Sequence, residues 1–333
     1  MIRGSLKTLP VLIVYLLLCG CSPKDSTPHS ATGMYFDTLV SIDLYGTSSA
    51  DADIILDECM GICEKYENLF DKNIITSDIA RINSASGNRV TVDHETAVLI
   101  ESALEYCKAS EGRFDITVAP VTALWDFHGD NNVVPDDSDL KRACALVDYK
   151  KVTVDTEGDT VMIENGASLE LGAAAKGYIA DRIAEYLDSR NIPGAIINMG
   201  GDIKLIGTKP DGSPFLIGIN DPFSEGEAVC ALSLNDMAVA TSGTYERCFT
   251  ANGVRYHHII DTATGYPVNT DIESVTVITE HALDADCLCT LAMIYGSDDA
   301  VRIIEQTENT EAIMILSDGS MIKTSGANRY IRQ

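Results

Sequence analysis

Four short segments carry side chains able to do chemistry. Ala285-Asp286-Cys287-Leu288-Cys289-Thr290 places a carboxylate and a hydroxyl four residues apart, so on a helix both oxygens project from one face. A hard cation such as Mg²⁺ accepts that pair when diphosphate or backbone oxygens complete its shell. The same spacing also lets Thr290 bond the Asp286 carbonyl, with Asp286 serving as a helix-start charge. Leu171-Gly172-Ala173-Ala174-Ala175-Lys176-Gly177-Tyr178 is a run of small residues at a helix start, where bare backbone can approach a ligand and Lys176 adds positive charge. It is not a Walker A sequence, and a tight helix–sheet contact explains the alanines as well. Asn198-Met199-Gly200-Gly201-Asp202 ends a strand in a double-glycine turn followed by an acid, for which a β-turn is the simplest reading. Tyr256-His257-His258-Ile259-Ile260-Asp261 sets two histidines on opposite sides of a strand, so one of them can face a cleft and act as a base.

These segments need elements to position them, and periodicity supplies the elements. Met34 to Tyr45 alternates like a strand. Ser48 or Ser49 can cap a helix from about Asp51 to Phe70, with Ile55, Cys59, Ile62, Cys63, Tyr66, Leu69 and Phe70 on one face. A second helix spans His94 to Ser110 and stops at Gly112. The polar stretch from Gly129 to Asp139 reads as a loop. Beyond Tyr149 come short strands near Val152–Val154 and Val161–Ile163, then a helix from Ala174 to Arg190. Strands follow near Ala195–Met199, Ile203–Ile206, Phe215–Ile219, Cys230–Leu234, Ala238–Thr241, Tyr256–Ile260 and Ser274–Ile278. Helices at Leu283–Tyr295 and Asp299–Glu305 and a strand at Ala312–Leu316 complete the chain. Clustered strands with helices between some of them indicate an α+β fold.

Composition narrows the functions. The 333 residues carry 24 Lys+Arg against 50 Asp+Glu, a net charge of -26, with 45% hydrophobic residues. That is too apolar for a disordered acidic chain and too poor in cations for nucleic acid. A phosphate-bearing ligand must therefore be held by a local device. Arg3 and Lys7 precede the apolar run Leu9–Leu18, too short to span a bilayer and typical of a signal segment. Leu18-Cys19-Gly20-Cys21 resembles a bacterial lipobox, which makes Cys21 the expected lipidated terminus. Residues 1–20 are then signal, 21–32 a flexible tether and 33–333 the folded domain. Cleavage deletes Arg3 and Lys7 and no acid, taking the charge from -26 to -28. The remaining cysteines are scattered without zinc-site spacing and read as small buried hydrophobes.

Taken in order, the blocks resemble the ApbE family of FAD:protein FMN transferases. The resemblance runs through Met34 and Thr38, Ser77–Asn83, Gly112–Pro120 with Leu124–Phe127, Gly172–Tyr178, Asn198–Asp202, Ala240–Arg247, His258–Asp261 with Thr264-Gly265, and Ala285-Asp286 with Thr290. It implies mixed and antiparallel sheets with flanking helices, in two closely joined subdomains with the site between them. It further implies a Mg²⁺-dependent reaction that cleaves FAD, joins FMN through a phosphodiester to a Thr or Ser of an acceptor protein and releases AMP. Carried over by position, the metal ligands are Asp286, Thr290 and the Ala173 carbonyl. FAD contacts come from Met34, Arg113, Phe114, Asp115, Glu170, Lys176 and Asp261, and His258 is the base. Asn73 stands where many relatives present a flavin-packing Tyr, which favours water as a competing acceptor. Glu170 stands where Asp is common. The implied acceptors are membrane-linked electron-transfer proteins, including subunits of redox-driven ion pumps, reached from a bacterial membrane facing the periplasm or cell exterior. A Mg²⁺-dependent FAD pyrophosphatase and a non-catalytic flavin-binding lipoprotein are the alternatives.

Overall fold

The structure, a computed structural model, describes residues 27–127, 132–164 and 166–332. The expected signal segment, Cys21 and most of the tether lie outside the described residues, as do Gly129, Asp130 and Asn131 of the expected loop. The centre is one eight-stranded sheet of β1 (His29–Tyr35), β2 (Thr38–Tyr45), β3 (Gly194–Met199), β4 (Asp202–Gly207), β5 (Ala238–Gly243), β6 (Ile272–Thr279), β7 (Glu311–Leu316) and β8 (Met321–Lys323). The strands lie side by side in that order, each antiparallel to the next. Every residue of β6 is buried, because both faces of the sheet are covered.

The helices are α1 (Ser49–Phe70), α2 (Asp78–Ser84), α3 (His94–Ala109), α4 (Ala119–Thr122), α5 (Asp137–Cys144), α6 (Ala175–Ser189), α7 (Ala282–Tyr295) and α8 (Ser297–Glu305). Side chains along the strands alternate between two cores. Ala240, Val275, Val277, Ala312 and Met314 meet the layer of α1, α6 and α7, while Leu205, Val239, Ile278 and Ile313 meet the hairpin Phe215–Asn220/Ala228–Leu234 on the opposite face. A third, aromatic cluster joins Val121 and Trp125 to Leu140, Phe249 and Ile260, with Phe127, Tyr256 and Tyr266 packed against it. The α+β class with antiparallel sheets is what the strand pattern predicts.

Three local expectations change. The single strand over Met34–Tyr45 is a hairpin, and its first strand starts at His29, inside the stretch read as tether. Phe36 and Asp37 both take left-handed backbone, at φ 52° and 55°, the geometry of a two-residue hairpin turn. No Gly marks that turn, so the alternation reads straight through it, and the Phe36 N–H is instead anchored on Glu67 Oε1 at 2.7 Å. Ser77 caps α2, and α5 begins at Asp137, within the expected loop. The strand expected over Tyr256–Ile260 is Val254–His257, so His258 lies just past its end.

Candidate active site at the crossing of α6 and α7

The small-residue run at the start of α6 lets two helices touch backbone to backbone. A Cβ on Gly177 would lie 2.2 Å from the Ala282 carbonyl oxygen, so no larger residue fits there without a shift. One turn further along α6, Asp181 accepts from the first N–H groups of α7, Ala282 at 2.9 Å and Leu283 at 3.0 Å. It caps a neighbouring helix and fixes the register of α7 against α6. In that register the Gly177 N–H donates to Asp286 Oδ2 at 3.2 Å.

Asp286 is 4% exposed, and Asp202, at the start of β4, is 5% exposed. Between them lies Lys176, its Nζ 2.6 Å from Asp202 Oδ2 and 3.2 Å from each Asp286 oxygen. Burial works against the Lys176 charge, but the two carboxylates override it and hold the ammonium well above the ordinary lysine range. Burial, with the Asp202 charge, pushes the Asp286 carboxyl upward against the pull of Lys176. The three side chains come from positions far apart in sequence and form one interior charge cluster.

The residues predicted as metal ligands lie on neighbouring segments here. Thr290 lies one turn after Asp286 on α7, its hydroxyl donating to the Asp286 carbonyl at 3.4 Å, the local bond its spacing allows. The Ala173 carbonyl accepts from Cys287 Sγ at 3.4 Å, which places it against α7 at the residue following Asp286. Carboxylate, hydroxyl and carbonyl form an all-oxygen donor set suited to Mg²⁺. The Lys176 ammonium already resting on both Asp286 oxygens shows that a cation is accommodated at that carboxylate. Among the described residues no group of three or more His, Cys, Asp or Glu forms an alternative metal site. One expectation is corrected: the α6 start does not present a row of free donors to a phosphate. The N–H groups of Ala174 and Ala175 bond the Leu171 carbonyl, and that of Gly177 is spent on Asp286.

The two histidines separate cleanly. His257 is buried, its Nε2 at 3.2 Å from the Val268 carbonyl, which makes it a structural donor. His258 lies within electrostatic reach of Lys176. Burial first, then the positive charges of Arg247, His257 and Lys176, push its imidazole down to about 3, so it is neutral. Its Nδ1 is buried without a hydrogen-bond partner.

The other expected nucleotide contacts lie on strand β1 and on several loops. Met34 is 66% exposed on β1 and pairs in register with Leu39, whose carbonyl accepts from the Gly200 N–H, so the hairpin adjoins the turn that leads to Asp202. Glu170 takes Lys72 at 2.6 Å and the Thr122 hydroxyl, which brings the exposed Asn73 beside it in the chain. Arg113 is exposed and stacks over Tyr295 at 4.8 Å, while Phe114 is buried against Tyr106. Asp115 is buried, with Oδ1 on the Thr117 N–H and hydroxyl and Oδ2 on the Tyr149 N–H. Its carboxylate shapes the loop and is not offered to a ligand. Asp261 likewise holds the Ala263 N–H and the Thr264 hydroxyl. The Thr262 hydroxyl donates to the Gly112 carbonyl at 3.0 Å and ties this loop to Arg113, while Trp125 Nε1 anchors it at the Gly265 carbonyl.

Asp202, Lys72, Glu246 and Arg247 join the site without having been singled out as site residues. Asp202 had a signal in its double-glycine turn, but a turn explains that motif by itself. Burial and the neighbouring Asp202 raise Glu246 to about 7, which reports its closeness to the same cluster.

The ApbE family model matches residues 36–314. A FAD:protein FMN transferase of Klebsiella pneumoniae (strain 342) is 33% identical over 91% of this chain and 93% of its own length, and one from Treponema pallidum (strain Nichols) is 29% identical over 96% and 94%. Among solved structures, the ApbE protein of Thermotoga maritima superposes with a TM-score of 0.85 at 31% identity, covering 92% of this chain and all of its own. The flavin transferase ApbE of Vibrio cholerae superposes with a TM-score of 0.81 at 28% identity, covering 91% and 99%. With the family model matching residues 36–314 and a relative 33% identical over 91% of the chain, the protein belongs to the ApbE family.

Proposed function

We propose that the protein is a Mg²⁺-dependent FAD:protein FMN transferase. The observation that carries this reading is the Lys176 ammonium on the Asp286 carboxylate at the α6–α7 crossing, with Ala173 and Thr290 on the adjoining segments, within a chain similar over 91% of its length to a FAD:protein FMN transferase. Asp286, Thr290 and the Ala173 carbonyl would hold Mg²⁺, whose chemistry there is to neutralise charge on the FAD diphosphate. Lys176 places a fixed positive charge beside the same group. Met34, Arg113, the loop shaped by Phe114, Asp115 and Asp261, and the Asn73–Glu170 edge supply the surface for the rest of the nucleotide. His258 accepts the proton of the acceptor hydroxyl. Its basicity is low without ligand, and the negative charge of a diphosphate raises it. The hydroxyl oxygen bonds to the FMN phosphorus, the bridging P–O bond breaks, and AMP leaves.

Asn73 gives the site a small polar side chain at an exposed position, so water as a competing acceptor is a second reading, yielding FMN and AMP. Lipid on Cys21 would hold the enzyme at the membrane near acceptors in electron-transfer complexes. No helix among the described residues is long and apolar enough to cross a membrane. The test is to incubate the protein with FAD, Mg²⁺ and an acceptor carrying a Thr-containing flavinylation segment. Flavin fluorescence should follow the acceptor through a denaturing gel, with AMP formed in equal amount. Asp286→Ala should abolish both while staying folded, since Lys176 keeps Asp202 as its partner. Normal turnover by that variant refutes the assignment.

A further inference from the structure

We infer that Asp202 is a positioning residue that sets how tightly the Asp286 site takes a divalent cation, by giving the Lys176 ammonium a second carboxylate to rest on. The inference deepens the proposed function and rests on the reading of Asp286, Thr290 and Ala173 as the metal ligands.

The geometry is a buried line of charges, negative, positive, negative. Lys176 Nζ is closer to Asp202, at 2.6 Å, than to either Asp286 oxygen, at 3.2 Å. Mg²⁺ bonds oxygen at about 2.1 Å. An ion at Asp286 and an ammonium lying across both of that carboxylate's oxygens therefore compete for the same atoms. To yield, Lys176 must keep an anion, because a buried ammonium without a partner is costly. Asp202 is already the nearer partner and is itself nearly closed to solvent. Its Oδ1 accepts from the Thr241 N–H at 3.4 Å, which ties it to β5 rather than to α7. Lys176 can thus release Asp286 by a short slide and remain paired. With Asn at position 202, the ammonium has Asp286 as its remaining carboxylate and becomes a strong competitor for it. Glu246, Arg247 and His258 border the cluster, but no ion pair joins them to Lys176 among the described residues.

The test measures Mn²⁺ binding to the metal-free full chain, without FAD, from the electron paramagnetic resonance signal of free Mn²⁺. Wild type, Asp202→Asn, Lys176→Met and the double variant are compared, each with its thermal unfolding midpoint. Asp202→Asn should weaken Mn²⁺ binding by roughly 10-fold or more, the usual scale for a residue behind a metal ligand. In the Lys176→Met background the same change should cost no more than about 2-fold, because the competitor is gone. Unchanged binding by Asp202→Asn, or an equal loss without Lys176, overturns the inference. Should Asp202→Asn fail to fold, Lys176→Met decides alone: it must bind Mn²⁺ at least as tightly as wild type, and weaker binding overturns the inference. A wild type that binds no Mn²⁺ overturns both this inference and the metal dependence of the proposed function. A wild type that binds Mn²⁺ but leaves the acceptor unlabelled sinks the transferase reading and leaves this inference standing.

Discussion

Replacing Gly177 by Ala tests whether the α6–α7 contact builds the site. Gly177 has ordinary helical backbone, so the change carries no conformational penalty and acts by volume alone. The new methyl would lie 2.2 Å from the Ala282 carbonyl oxygen and 2.6 Å from its carbon, both backbone atoms at the first residue of α7. Reaching an ordinary 3.4 Å contact requires the helices to part by about 1.2 Å. Such a shift stretches the Asp181 cap on Ala282 and Leu283 and pulls Asp286 from the Gly177 N–H and Lys176. Overpacking of this kind costs about 1–3 kcal/mol, and a displacement of about 1 Å at a reacting centre costs on the order of 100-fold in rate. Urea unfolding and gel-based FMN transfer should both report the defect. Gly61→Ala is the control, since Gly61 lies in α1 with open space around its Cβ direction, and it should stabilise the protein by about 0.5–1 kcal/mol with normal transfer. A Gly177→Ala protein with wild-type stability and rate would refute the account of the crossing.

Other perturbations have outcomes of similar sharpness. His258 takes a proton near its ordinary 6.5 when unfolded but only near 3 in the fold, so the folded state loses stability as pH drops below about 6.5, by about 1.4 kcal/mol per unit, until the folded value is reached. Removing that group with His258→Gln should shrink the loss between pH 7 and pH 5 by about 2 kcal/mol in urea titrations, and equal acid sensitivity of the two proteins would contradict the burial of a neutral imidazole. Asp181→Asn replaces one acceptor oxygen at the start of α7 by a donor, which should cost about 1–2 kcal/mol and lower the transfer rate; an unchanged unfolding midpoint would show that the cap contributes nothing. Cys21→Ser should abolish palmitate labelling in cells and move the protein to the soluble fraction, whereas retention of label would place the lipid elsewhere.

The long helices were legible because each carries a local signal. Ser48 caps α1, the Glu111–Gly112 turn closes α3, and Ile179, Ile183 and Leu187 repeat at helical spacing in α6; the expected bounds of these helices and of α7 fall within two residues of those observed. The β1–β2 hairpin was not legible, since Phe36 and Asp37 turn without glycine. Short helices such as α2 and α5 span only two turns and give periodicity little to register. The site divides in the same way. Asp286 and Thr290 share one helix face by their spacing, but only the family resemblance marks them as metal ligands, whereas the Lys176–Asp202 pair joins a helix to a strand and leaves no local trace. The need for glycine at 177 is also invisible in the sequence, because it comes from Ala282, more than a hundred residues away, and not from its own backbone angles.

Charge counting shows why this site needs more than its lysine. Lys176 sits between Asp202 and Asp286, so the three together carry a net charge of -1, inside a chain whose own charge is -26. A trio with that sign repels a diphosphate, and desolvation strengthens the repulsion by removing water's screening. Arg113 and Lys72 do not reverse it, since Arg113 lies over Tyr295 and Lys72 is engaged with Glu170. Adding two positive charges at Asp286 turns the trio to +1. On the proposed function, the acidic interior therefore serves as the anchor for a cation that an FAD diphosphate can share, and the charge at the site itself no longer opposes binding an anionic substrate.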